Sequence, residues 1–300
     1  MQSTETEKTG FNSTTIPWTT PDLTGFDSGK TPVYVTRPED IETYQRDGVV
    51  ILRGAFTEWV EPLRAGLERN LADPEAYRYP CESLPEGTPG RFFDSYCNWD
   101  LIPEYRDFAL NSSAASLAGQ LMQSNTSRLF HEHAFLKEPG TQSATPWHQD
   151  MPYYCVSGTQ TASVYVALDE ADKDVAVRFV KGSHASGKLY YPRVFMDGAD
   201  FNTEDQSMSP VPDIPNNPND YDILSEALEP GDTIVFNFLT LHGTTDAPLK
   251  SRRRAFSTRW FGDDVTYCER IGETSPSYPD INLSHGETMR EDWFPVVWRA

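Results

Sequence analysis

Three residues in two short segments have the types and spacing of a metal site. His148 and Asp150 are separated by a single residue, and His242 lies 94 residues further along the chain. In an extended segment, residues two apart point to the same side, so His148 and Asp150 can bind one ion while Gln149 faces away. Two imidazoles and one carboxylate are the ligands of non-haem Fe(II) oxygenases, in which positions stay open for substrate and oxygen. An oxygenase is therefore the first hypothesis.

The ligand types favour Fe(II) over a structural zinc ion. A carboxylate is a hard ligand, whereas structural zinc sites are rich in thiolates, and the four cysteines of this chain show no Cys-x-x-Cys spacing. His131 and His133 form a second closely spaced pair of histidines. Strand alternation points Glu132, the nearest carboxylate, away from both, so we interpret them as pocket or core histidines.

A suitable cation follows the second metal-binding segment. Arg253 lies 11 residues after His242, in a segment (253–261) whose alternation predicts a strand. A planar guanidinium can hold a carboxylate with two parallel hydrogen bonds, as the distal carboxylate of a 2-oxoglutarate cosubstrate would require. The same alternation places Arg259 on the face of Arg253, which we interpret as a cavity wall. Arg259 is expected either to contact an anionic substrate or to pair with a structural carboxylate.

Five short motifs occur in a fixed order along the chain. They are W-H-Q-D at 147–150, G-S-H at 182–184, P-G-D at 230–232, T-L-H-G at 240–243 and R-R-A-x-S-x-R-W at 253–260. With these motifs the chain resembles, over about residues 40 to 265, the phytanoyl-CoA dioxygenase family of Fe(II)- and 2-oxoglutarate-dependent oxygenases. Five motifs in order are far more specific than any one of them alone.

The resemblance implies a role for each matching residue. The iron would be bound by three ligands: His148, Asp150 and His242. Arg253 would bind the distal carboxylate of 2-oxoglutarate, and the Thr244 hydroxyl would contact the same cosubstrate. Tyr165 takes the place where many relatives have a tryptophan beside that cosubstrate. The implied reaction consumes O2 and 2-oxoglutarate, hydroxylates a C–H bond and yields succinate and CO2; Asp150 argues against the halogenating relatives, which lack this carboxylate.

The substrate is expected to be a small, polar metabolite, such as an amino acid, a betaine, an organophosphonate or a secondary metabolite. Outside residues 252–254 the sequence has no obvious basic cluster for the phosphates of coenzyme A. The alternatives are an acyl-CoA 2-hydroxylase, a non-catalytic cupin-like protein that binds a metal or ligand, and a metal-dependent hydrolase. The residues predicted to line the substrate pocket are Trp147, Tyr153, Tyr154, His133 and Arg259.

Composition narrows the class of protein. The net charge of −20, from 45 acidic and 25 basic residues, disfavours nucleic acid and anionic membrane surfaces as partners. The chain shows neither a signal peptide nor an apolar run of about 18 residues, so a soluble, cytoplasmic protein acting on a small molecule is expected. The sequence predicts no particular oligomeric state.

Periodicity predicts the elements that position these residues. An irregular N-terminal arm (1–36) should precede a single domain (37–300), which opens with helix 38–47, strand 48–53 and helix 56–72. Further strands are predicted at 129–136, 161–168, 175–180, 233–238 and 255–260. A mainly β fold with flanking helices follows, a double-stranded β-helix of the jelly-roll, cupin-like type. Residues 190–222, rich in Pro, Asn and Asp, are predicted to be a long insertion, with a lid over the barrel as a hypothesis.

Overall fold

The computed structural model describes residues 16–83, 90–141, 144–195 and 198–300. Its helices are α1 (Pro38–Asp47), α2 (Val60–Ala72), α3 (Pro103–Asn111) and α4 (Ala114–Met122). Its strands are β1 (Val49–Leu52), β2 (Pro80–Ser83), β3 (Phe92–Tyr96), β4 (Thr126–Lys137), β5 (Val156–Ser157), β6 (Thr161–Ala167), β7 (Arg178–Val180), β8 (Leu189–Tyr190), β9 (Met208–Ser209), β10 (Ile223–Leu224), β11 (Thr233–Phe236), β12 (His242–Gly243), β13 (Arg253–Phe261), β14 (Thr266–Tyr267) and β15 (Val296–Arg299).

The first helix begins and ends where its sequence dictates. Pro38 occupies the first helical position, where its fixed φ suits the helix and no N–H is needed. Gly48 follows the last turn with a φ of 73° and donates its N–H to the Tyr44 carbonyl oxygen at 2.8 Å. A residue with a side chain is strained at this φ, so glycine suits the position. The helix predicted at 38–47 is confirmed, whereas the second helix begins at Val60, after a short 3-10 turn.

Two antiparallel sheets build the barrel. The larger has the strand order β1-β11-β6-β13-β4-β3-β2, and β15 also pairs with β4. The smaller has the order β10-β7-β12, and its strand β12 begins with His242. The predicted mainly β, jelly-roll architecture with flanking helices is confirmed. All five strands predicted between 129 and 260 are present, although their ends differ by up to three residues.

The central strands divide their side chains between core and cavity. On β13 the side chains of Phe256 and Trp260 belong to the main hydrophobic core, together with residues of α3 and α4. Arg253, Ala255 and Arg259, on the opposite face of β13, line a cavity instead. Strand alternation thus gives one face of the sheet to helix packing and the other to chemistry.

The segments outside the barrel follow irregular paths. Residues 1–15 of the predicted arm lie outside the described residues, and residues 16–36 contain one short 3-10 helix, Ser28–Lys30. Within residues 190–222 the described part has the short parallel pair β8–β9 and a 3-10 turn, but no α-helix. The single domain and the lid remain predictions. None of the described helices is long and apolar enough to span a membrane.

Close packing of α4 against β15 gives a test of the fold. A Cβ atom added at Gly119 would lie 2.3 Å from Cζ3 of Trp298. Within a helix, alanine is normally more stable than glycine by up to about 1 kcal/mol. Here, however, Gly119→Ala is expected to lower the free energy of unfolding by about 1–3 kcal/mol because the added methyl group overpacks the core. Urea denaturation measures the change. In the Trp298→Leu background the same substitution should cost less, and an equal cost in both backgrounds would contradict the proposed contact.

Candidate active site

Direct backbone pairing brings two predicted ligands together. The N–H of His148 donates to the carbonyl oxygen of His242 at 2.9 Å, and the N–H of His242 donates back at the same distance. Asp150 stands just before a 3-10 turn, Met151–Tyr153. One ligand atom from each of the three residues lies within 4.8 Å of the others, and all three residues are buried. Nε2 of each imidazole is 3.6 Å from Oδ1 of Asp150.

The hydrogen bonds of the two imidazoles orient them for metal binding. Nδ1 of His148 is 2.8 Å from the carbonyl oxygen of Pro146, and Nδ1 of His242 is 2.9 Å from that of Thr240. A carbonyl oxygen can only accept, so each Nδ1 carries the proton and each Nε2 presents its lone pair towards Asp150. Burial, reinforced by the neighbouring imidazole, lowers the pKa of His242 to about 3. A neutral imidazole is the form that binds metal, so the three residues fit an Fe(II) ion.

The carboxylate ligand is held in its ionised form. Burial acts to raise the pKa of Asp150, but the positive charge of Arg259 holds it below its usual range. Nη2 of Arg259 lies 3.8 Å from Oδ2 of Asp150, and Ser163 Oγ donates to the same oxygen at 3.0 Å. Arg259 in turn donates from Nε to the Tyr154 hydroxyl at 3.3 Å. The structure therefore places Arg259, a predicted substrate residue, beside the metal-binding carboxylate.

The three ligands open into a cavity of about 190 Å³. Arg253, Thr244 and Tyr165, the predicted cosubstrate residues, all line it. The hydroxyl oxygen of Thr244 accepts a hydrogen bond from the Thr145 N–H at 2.7 Å, which leaves the hydroxyl proton to be donated elsewhere. Arg253 donates to the carbonyl oxygen of Val175. One guanidinium and one hydroxyl thus converge at one end of the cavity.

Four of the five predicted substrate residues line the cavity: Tyr153, Tyr154, His133 and Arg259. The structure places Trp147 elsewhere. Its indole belongs to a separate apolar cluster with Val180 and Leu241 and has the Arg178 guanidinium 5.3 Å from its ring centroid. Trp147 is adjacent in sequence to the ligand His148, and adjacent residues of an extended segment face opposite ways. The Trp147 side chain therefore points away from the metal ligands.

Several cavity residues were not predicted. Asp94 and Tyr96 of β3, Lys137 of β4 and Phe195 of the 190–222 segment line the same space. Burial, reinforced by Arg253, lowers the pKa of Lys137 to about 7. A signal for Asp94 and Tyr96 does exist, because alternation puts them on one face once residues 92–96 are taken as a strand.

Comparison with known proteins identifies the family. A family model described as phytanoyl-CoA dioxygenase (PhyH) matches residues 44–255. No curated protein sequence matches the chain. Among solved structures, the epimerase SnoN in complex with Fe3+, alpha ketoglutarate and nogalamycin RO is 21% identical, with 86% of this chain and 97% of that chain covered and a TM-score of 0.65.

Two further structures share the fold. The carbocyclase SnoK from nogalamycin biosynthesis is 20% identical, with 87% of this chain and 96% of that chain covered and a TM-score of 0.64. EctD from S. alaskensis, solved with 2-oxoglutarate and 5-hydroxyectoine, is 17% identical, with coverages of 93% and 96% and a TM-score of 0.58. At these identities the likeness concerns the fold alone. The family match, which spans more than two thirds of the chain, shows that this protein belongs to the phytanoyl-CoA dioxygenase family of Fe(II)- and 2-oxoglutarate-dependent oxygenases.

Proposed function

We propose that this protein hydroxylates a C–H bond of a small, polar metabolite, with O2 and 2-oxoglutarate as cosubstrates and succinate and CO2 as coproducts. One observation carries the proposal: the buried His148, Asp150 and His242 cluster opens into a cavity that also contains Arg253 and Thr244. A metal site alone would suit a sensor or a hydrolase equally well. Neither of those functions needs an anion-binding group beside the metal.

The chain supplies both halves of a cosubstrate site. Fe(II) bound by the three ligands supplies the site at which O2 and 2-oxoglutarate react to oxidise the substrate. Arg253 is positioned to bind the distal carboxylate with two parallel hydrogen bonds, and Thr244 can donate its hydroxyl proton to the same carboxylate. Tyr165 of β6 pairs with Ser257 of β13 and lines the same cavity, so its ring gives the cosubstrate an aromatic wall. These contacts fix the orientation of the cosubstrate.

The surroundings of the cavity favour a small substrate over an acyl-CoA. Coenzyme A carries several phosphates, which need accessible cations. In the basic run at residues 252–254, Arg252 pairs with Glu68 at 2.8 Å, and Arg254 pairs with Asp169 at 2.8 Å and with Glu68 at 2.9 Å. Both guanidinium groups are thus already neutralised by neighbouring carboxylates. The acidic net charge of −20 further disfavours a polyphosphate ligand.

The cosubstrate site can be tested by anaerobic spectroscopy. Fe(II) and 2-oxoglutarate added to metal-free protein should give the weak visible charge-transfer band of their chelate. Asp150→Ala should abolish the band because a metal ligand is lost. Arg253→Ala should raise the dissociation constant of 2-oxoglutarate by about 10- to 100-fold because a charged hydrogen-bonded pair is lost. Arg252→Ala is the matched control, since this neighbouring arginine pairs outward with Glu68.

The outcomes separate the candidate functions. A band in the wild type that is lost in Asp150→Ala, weakened in Arg253→Ala and kept in Arg252→Ala supports the oxygenase. Fe(II) binding without any band would show that 2-oxoglutarate is not a cosubstrate, and would favour a sensor or a hydrolase. Succinate release in the presence of candidate substrates then identifies the metabolite.

The contact between Arg259 and Asp150 predicts a pH effect on metal binding. Arg259 helps to hold the pKa of Asp150 low, so removing its charge should raise that pKa. Protonated Asp150 cannot bind the metal. The fall in Fe(II) affinity on acidification should therefore occur at a higher pH in Arg259→Gln than in the wild type, by roughly one unit or more. Anaerobic Fe(II) titrations across pH measure this shift. Arg259→Lys keeps a positive charge and should move the profile less; equal profiles in all three proteins would contradict the role.

A further inference from the structure

The cavity wall formed by β3 and β4 carries a buried carboxylate. Asp94 lies opposite Phe135 in the antiparallel pairing, and both residues line the cavity. Phe92 and Tyr96, two positions away on either side, share the face of Asp94. Only 6% of Asp94 is exposed. A carboxylate buried to this extent lowers stability unless a cation or hydrogen-bond donors compensate it.

Among the described residues, Asp94 forms no ion pair with a Lys or Arg side chain, because no such nitrogen lies within 4.0 Å of its carboxylate. The nearest ionisable group is His133, whose Nε2 is 3.8 Å from Oδ1 of Asp94. Burial lowers the pKa of His133 although Asp94 acts to raise it, so this imidazole is neutral near pH 7. Lys137 lines the same cavity, and Asp94 acts to raise its pKa against burial, but the described residues place no Lys or Arg nitrogen in an ion pair with Asp94.

Three polar atoms on the neighbouring strands β4 and β13 lack hydrogen-bond partners. His131 Nδ1, His133 Nε2 and Ser257 Oγ are buried and have no hydrogen-bond partner among the residues that the structure describes. His133 stands directly opposite Ser257 in the pairing of β4 with β13, and His131 lines the cavity with only 2% of the residue exposed. Buried polar groups are normally hydrogen-bonded. Unpartnered groups gathered at a cavity wall indicate the place where a polar ligand binds.

Aromatic rings frame this carboxylate. The ring of His133 stacks on Phe135 with centroids 4.0 Å apart and lies 5.0 Å from the ring of Tyr96. Tyr96 is held in turn by stacking on Tyr79 at 4.8 Å and by a hydrogen bond of 2.9 Å between its hydroxyl and that of Ser275. The π faces of rigid aromatic rings attract cations. The wall therefore combines a full negative charge with surfaces that favour positive charge.

We propose that Asp94 anchors a cationic nitrogen of the substrate, with His131 and His133 binding polar groups of the same molecule. The substrate class is then small molecules with an ammonium or protonated ring nitrogen, and purely anionic molecules are excluded by repulsion. This inference rests on the proposed function, since it takes the cavity beside the metal ligands as the substrate site. The cosubstrate is assigned to Arg253, which faces Lys137 across β13 and β4.

The first test needs neither substrate nor metal. If Asp94 is an uncompensated charge, Asp94→Asn should raise the melting temperature of the metal-free protein, by about 2 °C or more. The matched control is Asp100→Asn, because Asp100 forms a 2.6 Å ion pair with the buried Arg78. That substitution should lower the melting temperature. A comparable fall in Asp94→Asn would make Asp94 a structural residue and overturn the proposal, whatever the result for the proposed function.

The second test uses matched probes that differ in charge but not in shape. Three pairs serve: choline and 3,3-dimethylbutan-1-ol, glycine betaine and 3,3-dimethylbutanoate, and L-proline and cyclopentanecarboxylate. Binding to the Fe(II) and 2-oxoglutarate complex, and stimulation of succinate release, are measured for the wild type and for Asp94→Asn. In at least one pair, the member with the cationic nitrogen should bind, with affinity about 10-fold or more above the isostere that has carbon in place of that nitrogen. Asp94→Asn should abolish that preference.

The outcomes are distinct from those of the proposed function. Equal binding within every pair, no binding by any cationic probe, or an unchanged preference in Asp94→Asn would each overturn the cation anchor. A wild type that forms no chelate with 2-oxoglutarate would instead count against the proposed function. Preference confined to L-proline would indicate that the nitrogen donates N–H hydrogen bonds to Asp94, whereas preference for choline and betaine would indicate a quaternary nitrogen held by the aromatic rings.

Discussion

Two reciprocal backbone hydrogen bonds between His148 and His242 are the constraint on which the candidate site depends. They join segments 94 residues apart in the sequence. Each imidazole is then oriented by a carbonyl oxygen two residues before it, on Pro146 or Thr240. Both bonds use the main chain, so the metal-binding geometry follows from the backbone pairing of these two segments. The cavity chemistry can therefore vary while the metal centre stays fixed.

The sequence was sufficient to predict the elements with a clear period. Strand alternation identified β6 and β13, and the proline and glycine at the ends of α1 bounded that helix. Helices α3 and α4 were not predicted. Eight of the nine residues of α4 are buried, and most are small or apolar, so the helix lacks the polar face that marks a surface helix. Such a helix is recognisable only when its partners on both sides are known.

The same limit explains which site residues were found. His148, Asp150 and His242 stand in short motifs whose spacing carries chemical meaning by itself. Asp94 and Lys137 are single charged residues in strands, and a charged residue is usually exposed. Their burial depends on the closure of the barrel around them, which no local pattern encodes. Trp147 shows the converse, because membership of a motif does not decide which way a side chain points.

The alternation along β13 limits how this protein can diverge. One residue inserted into this strand would turn Phe256 and Trp260 towards the cavity and the arginines towards the helices, and would remove the cosubstrate site and the core together. Substitutions on β3, which pairs with β4 and β2 nearer the sheet edge, would not disrupt the core and the cosubstrate site together. New substrates can therefore evolve by exchanging side chains on that outer wall, while the length and register of the central strands stay unchanged.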